Sequence, residues 1–84
     1  MIHLVKVDGS EIEISKEELE KIMNDNDSLV PMLSNSGDKV IIHDDLAMFY
    51  DDDTVNTTVT KLVNRNIFGD AIVISLTTWD SYPK

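Results

Sequence analysis

The sequence predicts a small α+β domain, in which an antiparallel-rich sheet carries one or two short helices. Three observations predict this class: an Asp-Gly pair between two β-rich segments, a Ser-x-x-Glu motif before a segment with helical periodicity, and a nearly continuous apolar run after Gly69 and Asp70. The predicted element order is β-β-α-(β)-β-β-α-β, with the helices on one face of the sheet. The 84 residues have room for one domain, which we place at residues 1–76, followed by a polar C-terminal tail at residues 77–84.

The first two strands are predicted to form a β-hairpin. Residues 2–7 are mostly apolar and β-branched, and the Asp8-Gly9 pair that follows tolerates the positive φ angles of a tight turn. The segment Glu11–Ile14 alternates between charged and apolar residues, which is typical of a strand with one buried face.

The segment after the hairpin is predicted to be the first helix. Ser15 and Glu18 have the spacing of a capping box, in which each side chain accepts a hydrogen bond from the other residue's backbone N–H. Apolar residues recur at i, i+3 and i+4 from Leu19 and give the helix one apolar stripe. The Asn and Asp residues at positions 24–27 end the helix, because their side chains compete for backbone hydrogen bonds.

The middle of the chain is predicted to alternate between strands and turns. Residues 29–33 are apolar but contain Pro31, which cannot donate a hydrogen bond to a ladder, so we interpret them as an edge strand or an irregular connection. Three further features follow in order: a turn at residues 34–38, a strand at residues 39–43 and, beyond a tight turn at Asp44-Asp45, the hairpin partner of that strand at residues 46–50.

A polar loop at residues 51–56 leads to the second helix and the last strand. A short helix is predicted from Thr57 or Thr58, because apolar residues stand at positions 59, 62 and 63. The run at residues 71–74 is apolar throughout and is predicted to be a central strand that is covered on both faces.

Acidic residues outnumber basic residues by 16 to 7, which gives a formal net charge of −9 with both histidines neutral. Binding to nucleic acid or to anionic lipid depends on Lys and Arg, so this charge disfavours a direct interaction with either. A basic protein surface is instead attracted to the chain. The opening residues lack a secretory signal, no apolar run has the ~18 residues of a membrane helix, and cysteine is absent, so we expect a cytoplasmic protein.

Motifs for catalysis and cofactor binding are absent from the sequence. No serine stands in a Gly-x-Ser-x-Gly elbow, and neither a P-loop nor a Gly-x-Gly-x-x-Gly fingerprint is present. His3 and His43 lie in predicted strands near Asp residues, where a His-Asp pair can activate a serine, but we interpret both as ordinary strand histidines. We therefore expect no enzymatic activity and no cofactor.

Five carboxylates between positions 44 and 53 raise the question of a metal site. If residues 46–50 form a strand, they separate the two groups of carboxylates by about 16 Å at ~3.3 Å per residue, which is too far for one ion to bridge. The Asp-x-Asp-x-Val pattern from Asp51 also fails at the third ligand of an EF-hand loop. The sequence therefore predicts no dedicated metal site.

The acidic residues themselves form the candidate site. An array of carboxylates can occupy the basic groove of a nucleic-acid enzyme and compete with its substrate, while neighbouring aromatic residues supply an apolar anchor. A merely solubilising surface is the alternative interpretation. The predicted partner-binding residues are Asp44, Asp45, Phe49, Tyr50, Asp51, Asp52 and Asp53.

Two segments in the second half of the chain form a further pattern. They are Ile42-His43-Asp44-Asp45-Leu46-Ala47-Met48-Phe49-Tyr50-Asp51-Asp52-Asp53 and, after Asn56 and a short helix, Ile67-Phe68-Gly69-Asp70-Ala71-Ile72-Val73-Ile74. Over roughly residues 40–76, this pattern resembles a family of small uncharacterised α+β proteins of bacteriophages and mobile elements. The shared features are a strand pair that ends in acidic residues, an Asn before a helix, and a final Gly-Asp-apolar strand. Family members usually carry a Gly between the first helix and the next strand, whereas Gly37 is displaced in this chain.

The resemblance implies a small α+β fold and a phage or mobile-element setting, and it brings no catalytic residues. Compact acidic proteins in that setting often inhibit host enzymes or defence systems. We therefore expect a non-enzymatic phage-type inhibitor in the host cytoplasm, which binds the basic surface of a host protein and mimics nucleic acid. The alternative is an oligomeric small-molecule or nucleotide-binding sponge or sensor, in which residues 71–76 and Trp79 form the seam of a homodimer.

Overall fold

The computed structural model describes residues 2–26, 28–50 and 54–81, and the side chains of Met48 and Tyr50 lie outside this description. The strands in these residues are β1 (Ile2–Val5), β2 (Glu11–Ile14), β3 (Leu29–Leu33), β4 (Lys39–Asp44) and β5 (Ala71–Ser75). The helical segments are α1 (Lys16–Asp25), α2 (Ala47–Tyr50), α3 (Thr57–Thr60) and α4 (Leu76–Asp80). The five strands form one antiparallel sheet in the order β2-β1-β5-β4-β3, which confirms the predicted α+β class.

The last strand in the chain lies at the centre of the sheet. β5 bonds to β1 along one edge and to β4 along the other, and Ala71, Ile72 and Ile74 are buried. This position confirms the prediction of a covered central strand. Because both of its edges are already paired within the chain, β5 has no free edge with which to pair with a strand of a second copy.

Each face of the sheet has its own apolar core. On one face, Leu19 of α1 packs with Ile14, Ile42 and Ile74, and Trp79 of α4 packs against the same cluster. The opposite face carries a second cluster, which consists of Val5, Ile41, Val59, Val63, Ile67 and Ala71. The expectation of helices on one face is therefore wrong: α1 and α4 cover one face, and α3 with the turn after it covers the other.

The hairpin and the first helix begin as the sequence predicts. Gly9, in the turn between β1 and β2, has a φ of 92°, a conformation that glycine adopts without steric cost. Ser15 Oγ accepts a hydrogen bond from Glu18 N at 3.1 Å, and Glu18 Oε1 accepts one from Ser15 N at 3.3 Å. The predicted capping box is therefore confirmed.

The predicted hairpin of residues 39–43 with residues 46–50 is wrong. Ala47–Tyr50 forms the short helix α2, and the hairpin partner of β4 is β3, which reaches it through the turn at residues 34–38. β4 bonds to β3 on one edge and to β5 on the other, so no edge is left for a third strand. β3 is itself an edge strand with an exposed Pro31, which is the place in a sheet where proline costs least.

The chain continues beyond β5 as a helix that the sequence analysis did not predict. Ser75 is the N-cap of α4, and its Oγ accepts a hydrogen bond from Thr78 N at 3.3 Å. Residues 77–80 of the predicted polar tail therefore belong to a helix, and residues 82–84 lie outside the described residues. Among the described residues, no helix is long and apolar enough to cross a membrane.

Asn56 connects three parts of the fold through one buried side chain. Its Nδ2 donates hydrogen bonds to the carbonyl oxygens of Val5, at 2.9 Å, and Gly69, at 3.1 Å. Its Oδ1 accepts a hydrogen bond from Val59 N at 3.2 Å and caps α3. The side chain is completely inaccessible to solvent, so these protein groups supply the partners that water would supply elsewhere.

Replacement of Asn56 by Ala is expected to lower the free energy of unfolding by about 2–4 kcal/mol, because two buried carbonyl groups and one N–H lose a partner. Urea denaturation followed by circular dichroism measures the loss. Asn66→Ala removes the same carboxamide from an exposed position and should change the value by less than about 0.5 kcal/mol. Equal losses in the two variants would contradict the role assigned to Asn56.

Candidate functional site

Carboxylates gather at one end of the sheet, where β1 and β4 end and β2, β3 and β5 begin. We call this the acidic end; the described carboxylates that define it are Asp8, Asp25, Asp44, Asp45 and Asp70. α1 also ends there, with no basic residue in its last turn, so the partial negative charge of the helix C-terminus adds to theirs. Two basic residues offset part of this charge: Lys6 lies at the same end, and Arg65 is close enough to His43, the neighbour of Asp44, for its charge to add to the effect of burial in lowering the pKa of that histidine. At the opposite end the charges are mixed, and Lys39 Nζ lies 3.3 Å from Asp38 Oδ2.

Asp44 holds the end of β4 to the beginning of β3. Its Oδ1 accepts hydrogen bonds from Ser28 Oγ at 2.7 Å and Leu46 N at 2.9 Å, and its Oδ2 accepts one from Asn26 Nδ2 at 3.2 Å. Burial raises the pKa of Asp44, but these hydrogen bonds together outweigh it and hold the pKa below its usual value. Asp44 is therefore a charged group with a structural role, in addition to the partner-binding role that the sequence predicts.

The residues that follow Asp44 form an exposed patch that combines a carboxylate with apolar side chains. We call Asp45, Leu46 and Phe49 the Asp45–Phe49 patch: Asp45 is exposed, and Leu46 and Phe49 are 49% and 76% exposed. The backbone N–H of Asp45 donates to Ser28 O at 3.0 Å, which fixes the start of the patch to the residue before β3. The structure thus brings together two of the predicted site residues, Asp45 and Phe49, whereas Asp51, Asp52, Asp53 and the Tyr50 side chain lie outside the described residues.

A cleft of about 190 Å³ opens at the acidic end, between α1 and the sheet. We call it the α1–sheet cleft. Its apolar floor is a row of paired residues across three strands, Leu4 of β1, Ile72 of β5 and Ile42 of β4. Its polar lining consists of Asn26, Asp44 and Asp70. The sequence analysis missed Asp70 as a site residue, although its position before the central strand placed it at the end of the sheet.

The two histidines lie on the face of the sheet opposite α1. His3 Nδ1 is 3.7 Å from Glu11 Oε1 and is partly exposed, whereas His43 is only 4% exposed. Within the part of the chain that the structure describes, neither histidine is hydrogen-bonded to a serine, and no group of three or more His, Asp or Glu side chains is placed to hold a metal ion.

Comparison with family models, with curated proteins and with solved structures finds no match for this chain. The resemblance to a family of phage and mobile-element proteins therefore stays a prediction.

The buried His43 predicts how stability changes with pH. Burial lowers the pKa of His43 and the charge of Arg65 lowers it further, while Asp45 and Asp44 partly offset both effects. The unfolded chain therefore binds this proton at a higher pH than the folded chain does, so the free energy of unfolding should fall as the pH drops below the ordinary histidine pKa of about 6.5.

Urea denaturation between about pH 7.5 and pH 5.5 tests this dependence across the ordinary pKa of histidine. His43→Gln should flatten the decline, whereas His3→Gln, which removes the half-exposed histidine, should leave it in place. A decline of the same steepness in the wild type and in His43→Gln would show that another group causes it.

Proposed function

We propose that this chain is a non-enzymatic binding protein that uses its acidic end to cover a basic surface of a host protein, as a phage-type inhibitor of an enzyme or a defence protein. The observation that carries the proposal is the Asp45–Phe49 patch, in which two large exposed apolar side chains stand beside the exposed carboxylate of Asp45 at the acidic end.

The charge distribution supports a basic partner. The chain carries a net charge of −9, and the acidic end concentrates five described carboxylates and the C-terminus of α1. Such a field accelerates the encounter with a positively charged surface and disfavours acidic competitors. A protein groove that binds the phosphates of nucleic acid is lined by Lys and Arg and is therefore a positively charged surface of this kind. We propose that the partner is such a nucleic-acid-binding surface.

The exposed aromatic ring supports a contact with protein. Phe49 leaves three quarters of its surface in water, and burial of such a side chain contributes about 1.5–3 kcal/mol to an interface. A central apolar anchor with charges around it is the usual arrangement of a protein–protein contact. The affinity is expected to come mainly from Phe49 and Leu46, and the preference for a basic partner from the carboxylates.

A second candidate function is the binding of a small molecule in the α1–sheet cleft, which a single chain forms without a homodimer. The lining carboxylates Asp44 and Asp70 repel phosphate groups, so the geometry disfavours a nucleotide as its ligand. This candidate predicts saturable binding of a small molecule by a monomer, without any protein partner.

Affinity purification from a bacterial host lysate at low and high salt, followed by mass spectrometry, tests the proposed function. The wild-type chain should recover a basic protein at low salt and recover less of it at high salt, because salt screens the contribution of the carboxylates. Phe49→Ala should lower the affinity for the recovered protein about tenfold, because the exposed aromatic ring no longer contributes to the interface. Asp45→Asn should lower the same affinity about twofold to fivefold.

Two variants serve as matched controls. Ile12→Ala removes an exposed apolar side chain from β2, and Asp80→Asn removes one negative charge from the opposite end of the molecule. Both should bind as the wild type does. Recovery that is indifferent to salt, or that falls equally in Phe49→Ala and Ile12→Ala, would refute the proposal.

A further inference from the structure

The α1–sheet cleft is of a size to receive one long side chain, and we refer to it in this role as the socket. Ile42 and Ile72 at its floor are only 1% and 2% exposed, so the apolar surface that the cleft offers belongs mainly to the half-buried side chains of Leu4, Ile22 and Phe68. Ile22 and Phe68 line the sides. The cleft has a volume of about 190 Å³.

The open part of the socket is negatively charged. Asp70 is exposed, and its Oδ1 accepts a hydrogen bond from Val7 N at 3.2 Å, which fixes the carboxylate beside β1. Asp44 adds a second charge, held in place by hydrogen bonds from Ser28, Leu46 and Asn26. Asn26 is also the C-cap of α1, so the negative end of that helix lies at the same opening.

An apolar floor below two carboxylates suits a cation on an apolar stem. Lysine and arginine side chains lay their methylene stems on apolar surface and keep the charged group at the edge. Between the two, the planar guanidinium is the better match, because it is more weakly hydrated than an ammonium and can donate two parallel hydrogen bonds to one carboxylate.

We propose that the α1–sheet cleft receives a single arginine side chain of the partner protein, with its stem on Leu4, Ile22 and Phe68 and its guanidinium at Asp70 and Asp44. This inference rests on the proposed function and deepens it. Ala47 of α2 lines the cleft, and Phe49 lies two residues later in the same helix, where it is exposed. The partner is thus a protein surface that carries an exposed arginine.

Titration of the isotope-labelled full chain with the peptide acetyl-Ala-Arg-Ala-amide, followed by amide chemical shifts, tests the socket directly. The control peptide carries citrulline in place of arginine, which keeps the shape of the side chain and removes its charge. The arginine peptide should give saturable shifts confined to residues 4, 42–47 and 68–72, with a dissociation constant of about 1 mM, and the citrulline peptide should give none. Asp70→Asn should weaken binding at least about threefold, whereas Asp80→Asn should leave it unchanged.

Each other result overturns the inference. Equal shifts with the citrulline peptide would mean that the charge plays no part, and unchanged binding to Asp70→Asn would mean that the cation lies elsewhere. Equal affinity for a lysine peptide would remove the preference for arginine. Shifts with free butylguanidinium but none with the peptide would assign the cleft to a small cation instead of a protein side chain.

The two proposals fail separately. Salt-sensitive capture of a basic protein without any cleft shifts would overturn the arginine socket and leave the proposed function intact. Cleft binding without such capture would overturn the proposed function. The signals of residues outside the cleft report whether Asp70→Asn keeps the wild-type fold, so a loss of binding can be separated from a loss of structure.

Discussion

The fold depends on the hydrogen bonds of one buried carboxamide. Asn56 holds the end of β1, the first turn of α3 and the segment that enters β5, and its own backbone N–H donates to Ile67 O at 2.7 Å. A buried polar group of this kind is stable only when all its partners are in place, so the three segments are fixed together or not at all. Asp70 follows directly after Gly69, whose carbonyl accepts one of these bonds. The position of a carboxylate at the mouth of the α1–sheet cleft therefore depends on a side chain on the other side of the sheet.

The arrangement of the sheet decides which surfaces remain for binding. Each face of the sheet is packed against its own small apolar core, and the central strand β5 lies between the two cores. The two edges are poorly suited to pairing with another chain, since β3 carries Pro31 and β2 carries two exposed glutamates. Among the described residues, the two ends of the sheet remain. One has mixed charges and the exposed Leu33, and the other combines carboxylates with the exposed Leu46 and Phe49.

Local signals in the sequence predicted the elements that depend on local contacts. The capping box of Ser15 and Glu18 marked α1, and the apolar run before residue 75 marked the central strand. The five residues 46–50 were assigned to a strand, because so short an apolar run has no periodicity that separates a strand from a helical turn. Residues 46–50 cannot pair with β4, because β3 and β5 already occupy both of its edges. Asn56 and Asp70 were missed as key residues for a related reason: the groups they bind, on Val5 and Val7, are 51 and 63 positions away in the sequence.

The carboxylates of the acidic end differ in how much hydrating water each one loses when it binds a cation. Asp44 accepts hydrogen bonds from Ser28, Leu46 and Asn26 among the described residues, so the protein already orients its charge. Asp45 and Asp70 are exposed and must give up water, which cancels much of what an ion pair gains at a surface. Phe49, in contrast, gains from every contact that removes water from its ring. The charges at this end are therefore best suited to select the partner and accelerate the encounter, while the apolar side chains keep it bound.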